Sequence, residues 1–138
     1  MQYLALVRES FARVLERESL VTPRFYQILF ERYPQVRPLF GHKAAERQQQ
    51  MLQEALVAVV DHLEDARWLE TTLGAMGAKH VEYGVTAEMY PWVGECLIAT
   101  LAEIVGPDWT PAYTEAWRRA YGAITQLMLR GAASAAAA

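Results

Sequence analysis

The sequence predicts a single all-α domain of about six to eight helices, and three observations carry that prediction. Apolar residues recur three and four apart along nearly the whole of a 138-residue chain, and no stretch alternates as a strand would. Helix breakers and caps fall between those stretches, at Thr22-Pro23, Pro34, Gly106-Pro107 and Thr110-Pro111. Hydrophobic residues form 53% of the chain and charged ones 21%, so one core can be filled without staples.

Leu4, Val7, Phe11 and Val14 define the buried face of a first helix. Arg8, Glu9, Arg13, Glu16 and Arg17 form its wet side, and it ends near Ser19. Thr22 caps a second helix, with Pro23 at the first helical position, where its missing N–H is harmless. Phe25, Tyr26, Leu29, Phe30 and Tyr33 follow before Pro34 stops it. The segment PQVRPLFGHK then makes a brief helical turn and a corner that presents Leu39 and Phe40 inward.

A long helix runs from about Ala45 to Leu63, its stripe read from Leu52, Leu56, Val59 and Leu63. Four residues before Leu52 stands Gln48, either a surface residue at a fraying helix end or a polar group aimed into a pocket. The next helix places Leu69, Leu73, Met76 and His80 on one face. It contains Gly74 and Gly77, each unfavourable by roughly 1 kcal/mol relative to alanine, which predicts a short and comparatively mobile element. Thr86 caps a helix displaying Tyr90, Val93, Leu97, Leu101 and Ile104. Thr110-Pro111 opens the last one, with Tyr113, Trp117, Tyr121, Ile124 and Met128 in a row. Residues 131–138, GAASAAAA, read as a frayed or disordered tail.

Charge and cysteine usage exclude several function classes. A formal net charge of −3 with no basic run longer than Arg118-Arg119 argues against nucleic acid as a partner. Cys96 is the only cysteine, so there is neither a disulfide framework nor a thiolate cluster, as suits a reducing, cytoplasmic setting. The amphipathic start MQYLALVRESF is no signal peptide, and no apolar run is long enough to span a membrane.

His80 is the residue with chemistry to spare. Closing an apolar helix face, it is either a core histidine satisfied by nearby carbonyls or a ligand whose free ring nitrogen reaches a shielded iron. His42, in the corner after Phe40, and His62, beside Asp61, read as solvated polar residues.

The segments FYQILFERYPQVRPLF, QQQMLQEAL, KHVEYGV, MYPWVGECL and WRRAYGAI resemble, in order and spacing, the bacterial single-domain globins and the haem domain of flavohaemoglobins. The resemblance runs from the first helix to about Met128 and implies a globin fold, a 3-on-3 helical sandwich around a haem pocket, over residues 1–130. It implies haem b (iron protoporphyrin IX) as cofactor. Tyr26 then falls at the distal tyrosine position, Phe40 at the phenylalanine that wedges the haem, Gln48 at the distal glutamine and Leu52 at the distal leucine. His80 becomes the proximal iron ligand, with Val85 and Tyr90 as further cofactor contacts and Tyr90 at the proximal tyrosine position. Trp117 and Tyr121 keep their reading as core aromatics.

The implied activity is binding of dioxygen, nitric oxide and carbon monoxide, with donors from Tyr26 and Gln48 stabilising dioxygen most. Tyr26 could instead ligate ferric iron directly. Two departures matter. The family's glutamate near the end of the last helix, a partner of the proximal histidine, has no counterpart in Leu129–Ser134, so His80 should be anchored by a backbone carbonyl, with Tyr90 as a helper at most. Strong peroxidase-like activation is therefore not expected. No flavin or nicotinamide segment follows the last helix, so nitric oxide dioxygenation would need a separate electron-donating reductase. The alternatives are an oxygen storage, transport, scavenging or gas-sensing module without catalysis, and a haem-free helical interaction module. Monomer and homodimer are both open.

Overall fold

The computed structural model describes residues 2–17, 21–40 and 45–137. Within them lie six α-helices: α1 (Gln2–Leu15), α2 (Val21–Arg32), α3 (Ala45–Asp61), α4 (Ala66–Glu82), α5 (Met89–Val105) and α6 (Pro111–Ala137). Two 3-10 segments, Pro34–Phe40 and Gly106–Asp108, form corners, and the described residues contain no strand. No helix among them is long and apolar enough to cross a membrane.

The predicted stripes are the faces that meet. On α1 the residues Leu4, Val7, Phe11 and Val14 are buried, packed beside α5 and α6. Ser10 lies fully buried among them, an expensive place for a hydroxyl unless it is paired. It is paired twice: Ser10 Oγ donates to the Leu6 carbonyl at 2.8 Å and accepts the Trp117 indole N–H at 2.8 Å. Arg17 continues past α1 and its guanidinium donates to the Ile104 carbonyl at 2.6 Å, satisfying one of the carbonyls left open where α5 ends. Arg17 is thus an interhelix tie as well as a solvated charge.

α2 begins at Val21 and carries Thr22 and Pro23 in its first turn, two residues earlier than the capping pattern predicts. α1 ends at Leu15, and Ser19 lies outside the described residues. The corner after Pro34 is 3-10 helical, with Val36 buried and Leu39 and Phe40 packed on the core as expected. His42 falls outside the described residues.

Three expectations need correcting. α4 is neither short nor broken: it runs unbroken for 17 residues, started by Asp65, whose carboxylate accepts the Trp68 N–H at 3.0 Å. Its glycines are used for contact, because a methyl group at Gly77 would fall inside the Met128 carbonyl, and one at Gly131 inside the Gly74 carbonyl. The backbones of α4 and α6 therefore touch, and packing offsets the lost helix propensity. α5 starts at Met89 without a side-chain cap; Thr86 helps only through its carbonyl, which accepts the Met89 N–H at 3.1 Å. Finally, α6 does not fray at residue 131 but extends to Ala137. At its start the predicted cap is present, Thr110 Oγ1 accepting the Tyr113 N–H at 3.2 Å.

The apolar interior divides in two. The larger cluster joins α1, α2, α5 and the first turns of α6; the smaller one centres on Val59, Leu73, Tyr90 and Met128. Leu63, in the turn after α3, packs against both.

Candidate functional site

The first group of candidate residues collects at the larger cluster, where α2, the 3-10 corner and α3 meet. Tyr26 points off α2 into an aromatic nest, its ring centroid 5.1 Å from Phe25, 5.8 Å from Phe30 and 5.6 Å from Phe40. The edge-on arrangements with Phe25 and Phe40 suit the ring quadrupoles. The Arg37 guanidinium covers the outer side of Phe30 at 5.1 Å. Burial pushes the Tyr26 phenol up to about 12, so its hydroxyl keeps its proton and remains a donor.

Gln48 stands one helical turn into α3 and is half-buried. Its side-chain amide donates to the Phe40 carbonyl at 3.3 Å, while the Gln48 backbone carbonyl accepts a long bond of 3.4 Å from the Tyr26 hydroxyl. Tyr26, Phe40 and Gln48 are thereby tied into one circuit. Because an amide NH2 carries two protons, the bond to Phe40 orients Gln48 and leaves a second donor available. Leu52, the next turn along α3, packs half-buried against the same cluster. The reading of Gln48 as a solvated residue at a frayed end does not describe this placement.

The second group belongs to α4 and the loop into α5. His80 Nδ1 donates to the Met76 carbonyl at 2.6 Å. A carbonyl only accepts, so the proton sits on Nδ1 and the neutral ring keeps its lone pair on Nε2. The expected backbone anchor is therefore present. The His80 carbonyl closes α4 by accepting the N–H of Tyr83 at 3.1 Å and of Val85 at 3.0 Å. This turn carries Val85 back onto the smaller cluster, beside Met76, Leu69 and the buried Tyr90. The rings of Tyr83 and Tyr90 lie 5.9 Å and 6.4 Å from the imidazole. No hydrogen bond joins Tyr90 to His80 among the described residues, so Tyr90 contributes packing and not the helper bond entertained from the sequence.

Several contributors escape sequence reasoning. Tyr121 does more than fill core: its hydroxyl donates to the Tyr90 carbonyl at 2.7 Å, and its ring presses on the backbone of Gly94, where no side chain would fit. Burial pushes that phenol far up. His62 is not simply solvated, since its Nδ1 bonds the Ala58 carbonyl at 2.7 Å and its ring stacks on Trp68 at 3.9 Å. A histidine four residues after a potential carbonyl partner is a weak signal for such a bond, and the stacking partner carries none.

The structure thus defines a helical protein with two apolar clusters, one holding a phenol and an amide and the other an oriented imidazole. Comparison with known proteins gives this class its family: the globin family profile matches residues 23–128, and the chain belongs to the globin family. It is 34% identical over 128 residues to a flavohemoprotein of Pseudomonas putida and 35% identical over 127 residues to one of Bordetella pertussis, covering 91% of this chain in each case. The chain spans about a third of the length of those relatives, 33% and 32%. Among solved structures it is similar to an engineered carbene transferase from Rhodothermus marinus, described as a candidate nitric oxide dioxygenase, with a TM-score of 0.87 at 33% identity. That alignment covers 99% of this chain and 95% of the other. A bacterial globin from Campylobacter jejuni aligns at a TM-score of 0.82 and 25% identity over 96% of each chain. The fold is accordingly the globin fold.

Proposed function

We propose that this chain is a gas-binding haem protein in which His80 would hold the iron of haem b, and Tyr26 and Gln48 would supply hydrogen-bond donors to a bound diatomic ligand, dioxygen above all. The observation that carries the reading is the 2.6 Å bond from His80 Nδ1 to Met76, which leaves Nε2 as the free ligand atom. The described residues offer no cluster of three His, Cys, Asp or Glu for a bare ion, so a lone imidazole needs an iron that brings its other ligands with it. Apolar side chains half-buried at the two clusters, among them Leu52, Met76 and Val85, supply surface that an apolar macrocycle would cover. The residues present fit the group.

Haem supplies an iron centre that binds diatomic gases and exchanges single electrons. The chain's own contribution is positioning and hydrogen bonding. Met76 fixes the tautomer and orientation of His80. With haem bound, Phe40 and Leu52 would keep water away, and in the resulting low dielectric the protonated Tyr26 hydroxyl and the second amide proton of Gln48 would be the donors for a polarised diatomic ligand. Dioxygen, which takes up more charge than carbon monoxide, gains more from them.

The likeness to the Rhodothermus marinus protein and to flavohemoproteins supports nitric oxide dioxygenation as the reaction, dioxygen and nitric oxide giving nitrate, with electrons supplied by a reductase. Oxygen storage without turnover is the competing reading. Visible spectra in ferric, reduced, carbon monoxide and oxygen forms test haem ligation. Nitrate formation on repeated mixing with nitric oxide and a generic electron donor supports dioxygenation; a single stoichiometric reaction without turnover supports storage.

A further inference from the structure

The carbonyl that holds His80 belongs to the peptide unit joining Met76 to Gly77. That unit is in turn pressed by α6. At Gly77, which is buried, a methyl group would coincide with the Met128 carbonyl, so a glycine Cα–H points at that oxygen where any other residue would carry Cβ. The contact is backbone against backbone, and neither side can yield by turning a side chain. Nearby glycines supply contrasts. A methyl at Gly74 would meet Gly131 Cα at 3.9 Å, an ordinary contact, whereas one at Gly131 would strike the Gly74 carbonyl and part the same two helices well before His80.

We propose that Gly77 is a positioning residue for His80: by letting the Met128 carbonyl rest on the peptide unit that accepts the Nδ1 proton, it fixes the direction in which the imidazole is held. This inference rests on the reading that His80 ligates haem iron.

The test uses the haem-loaded full chain. In Gly77→Ala the iron–imidazole stretching band of the reduced form should move to lower frequency, and the His80 Nδ1 proton resonance of the carbon monoxide form should shift, because a tilted Met76 carbonyl accepts less well. Gly131→Ala should lose comparable thermal stability with at most a minor part of either spectral shift. Gly74→Ala should leave both signals at their wild-type positions. An unmoved band in Gly77→Ala, or an equal displacement in Gly131→Ala, overturns the inference. If Gly77→Ala does not hold haem, the double variant Gly74→Ala/Gly77→Ala, which restores helix propensity where there is room, is measured against the same criteria. A wild-type protein showing no iron–imidazole band would remove the haem-ligation reading itself, a result distinct from wild-type ligation with an insensitive Gly77.

Discussion

His80 donates its Nδ1 proton to Met76 one turn back along α4, at 2.6 Å, and this single bond decides which ring nitrogen is free. His80→Gly should therefore produce a protein that takes up haem weakly, with an altered spectrum that added imidazole returns toward the wild type. Absorption spectra with and without imidazole check this. An unaltered spectrum in the variant would remove His80 from the iron.

Tyr26→Phe keeps the aromatic nest with Phe25, Phe30 and Phe40 and deletes only a hydroxyl whose intramolecular bond is a long 3.4 Å. Folding stability should change little. A charge-assisted hydrogen bond contributes about 1.5–3 kcal/mol, so oxygen dissociation should accelerate by roughly 10- to 100-fold while carbon monoxide dissociation changes less. Stopped-flow ligand replacement gives both rates, and equal rates in variant and wild type would take Tyr26 out of the distal role.

The same hydroxyl predicts an alkaline limb in stability. Burial raises the phenol from 10 to about 12, so between those values the unfolded chain loses the proton while the folded chain keeps it. With fewer protons bound in the unfolded state, stability falls as pH rises through that window; below it the contribution is fully present. Denaturant midpoints from pH 9 to about 12 should drop less steeply in Tyr26→Phe, with parallel curves contradicting the assignment.

Gln48→Leu should accelerate oxygen release by less, roughly three- to tenfold, since an amide N–H is a weaker hydrogen-bond donor than a phenol O–H and contributes about 1 kcal/mol. It should also loosen the corner by breaking the 3.3 Å bond to the Phe40 carbonyl. Faster hydrogen exchange in the following α3 turn would register that loss; an effect on release larger than that of Tyr26→Phe would invert the proposed order of the two donors.

Ser10→Ala strands the Trp117 indole N–H, a donor that is 3% exposed at residue level. An unpaired buried donor costs about 1–3 kcal/mol, equivalent here to a thermal midpoint lower by roughly 3–10 °C. A calorimetric scan with unchanged midpoint would mean that the indole finds another acceptor.

What was legible in the sequence followed from periodicity and from local caps. Val7, Phe11, Val14, Leu29, Leu73, Leu101 and Trp117 are buried where the helical stripes place them, because the spacing that puts residues on one face is a property of the helix alone. Thr110 caps α6 for the same local reason. The errors arise where partners distant in sequence decide. Gly74 and Gly77 read as weakness because the Gly131 and Met128 backbones that occupy their missing side chains lie on another helix. The tail read as frayed because its alanines carry no stripe, although Gly131 inserts against α4. At the candidate site, Tyr26, Gln48 and His80 are singled out by resemblance alone; the Phe40 carbonyl holding Gln48 is not legible at all, since a backbone acceptor leaves no mark in residue type.

The glycine contact between α4 and α6 also orders events during synthesis. α4, with His80, leaves the ribosome well before Met128 and Gly131, the backbones it must lie against. α1 likewise waits for Trp117 to satisfy Ser10. A nascent chain therefore carries its imidazole in an unfinished wall until α6 has emerged and closed over both earlier helices.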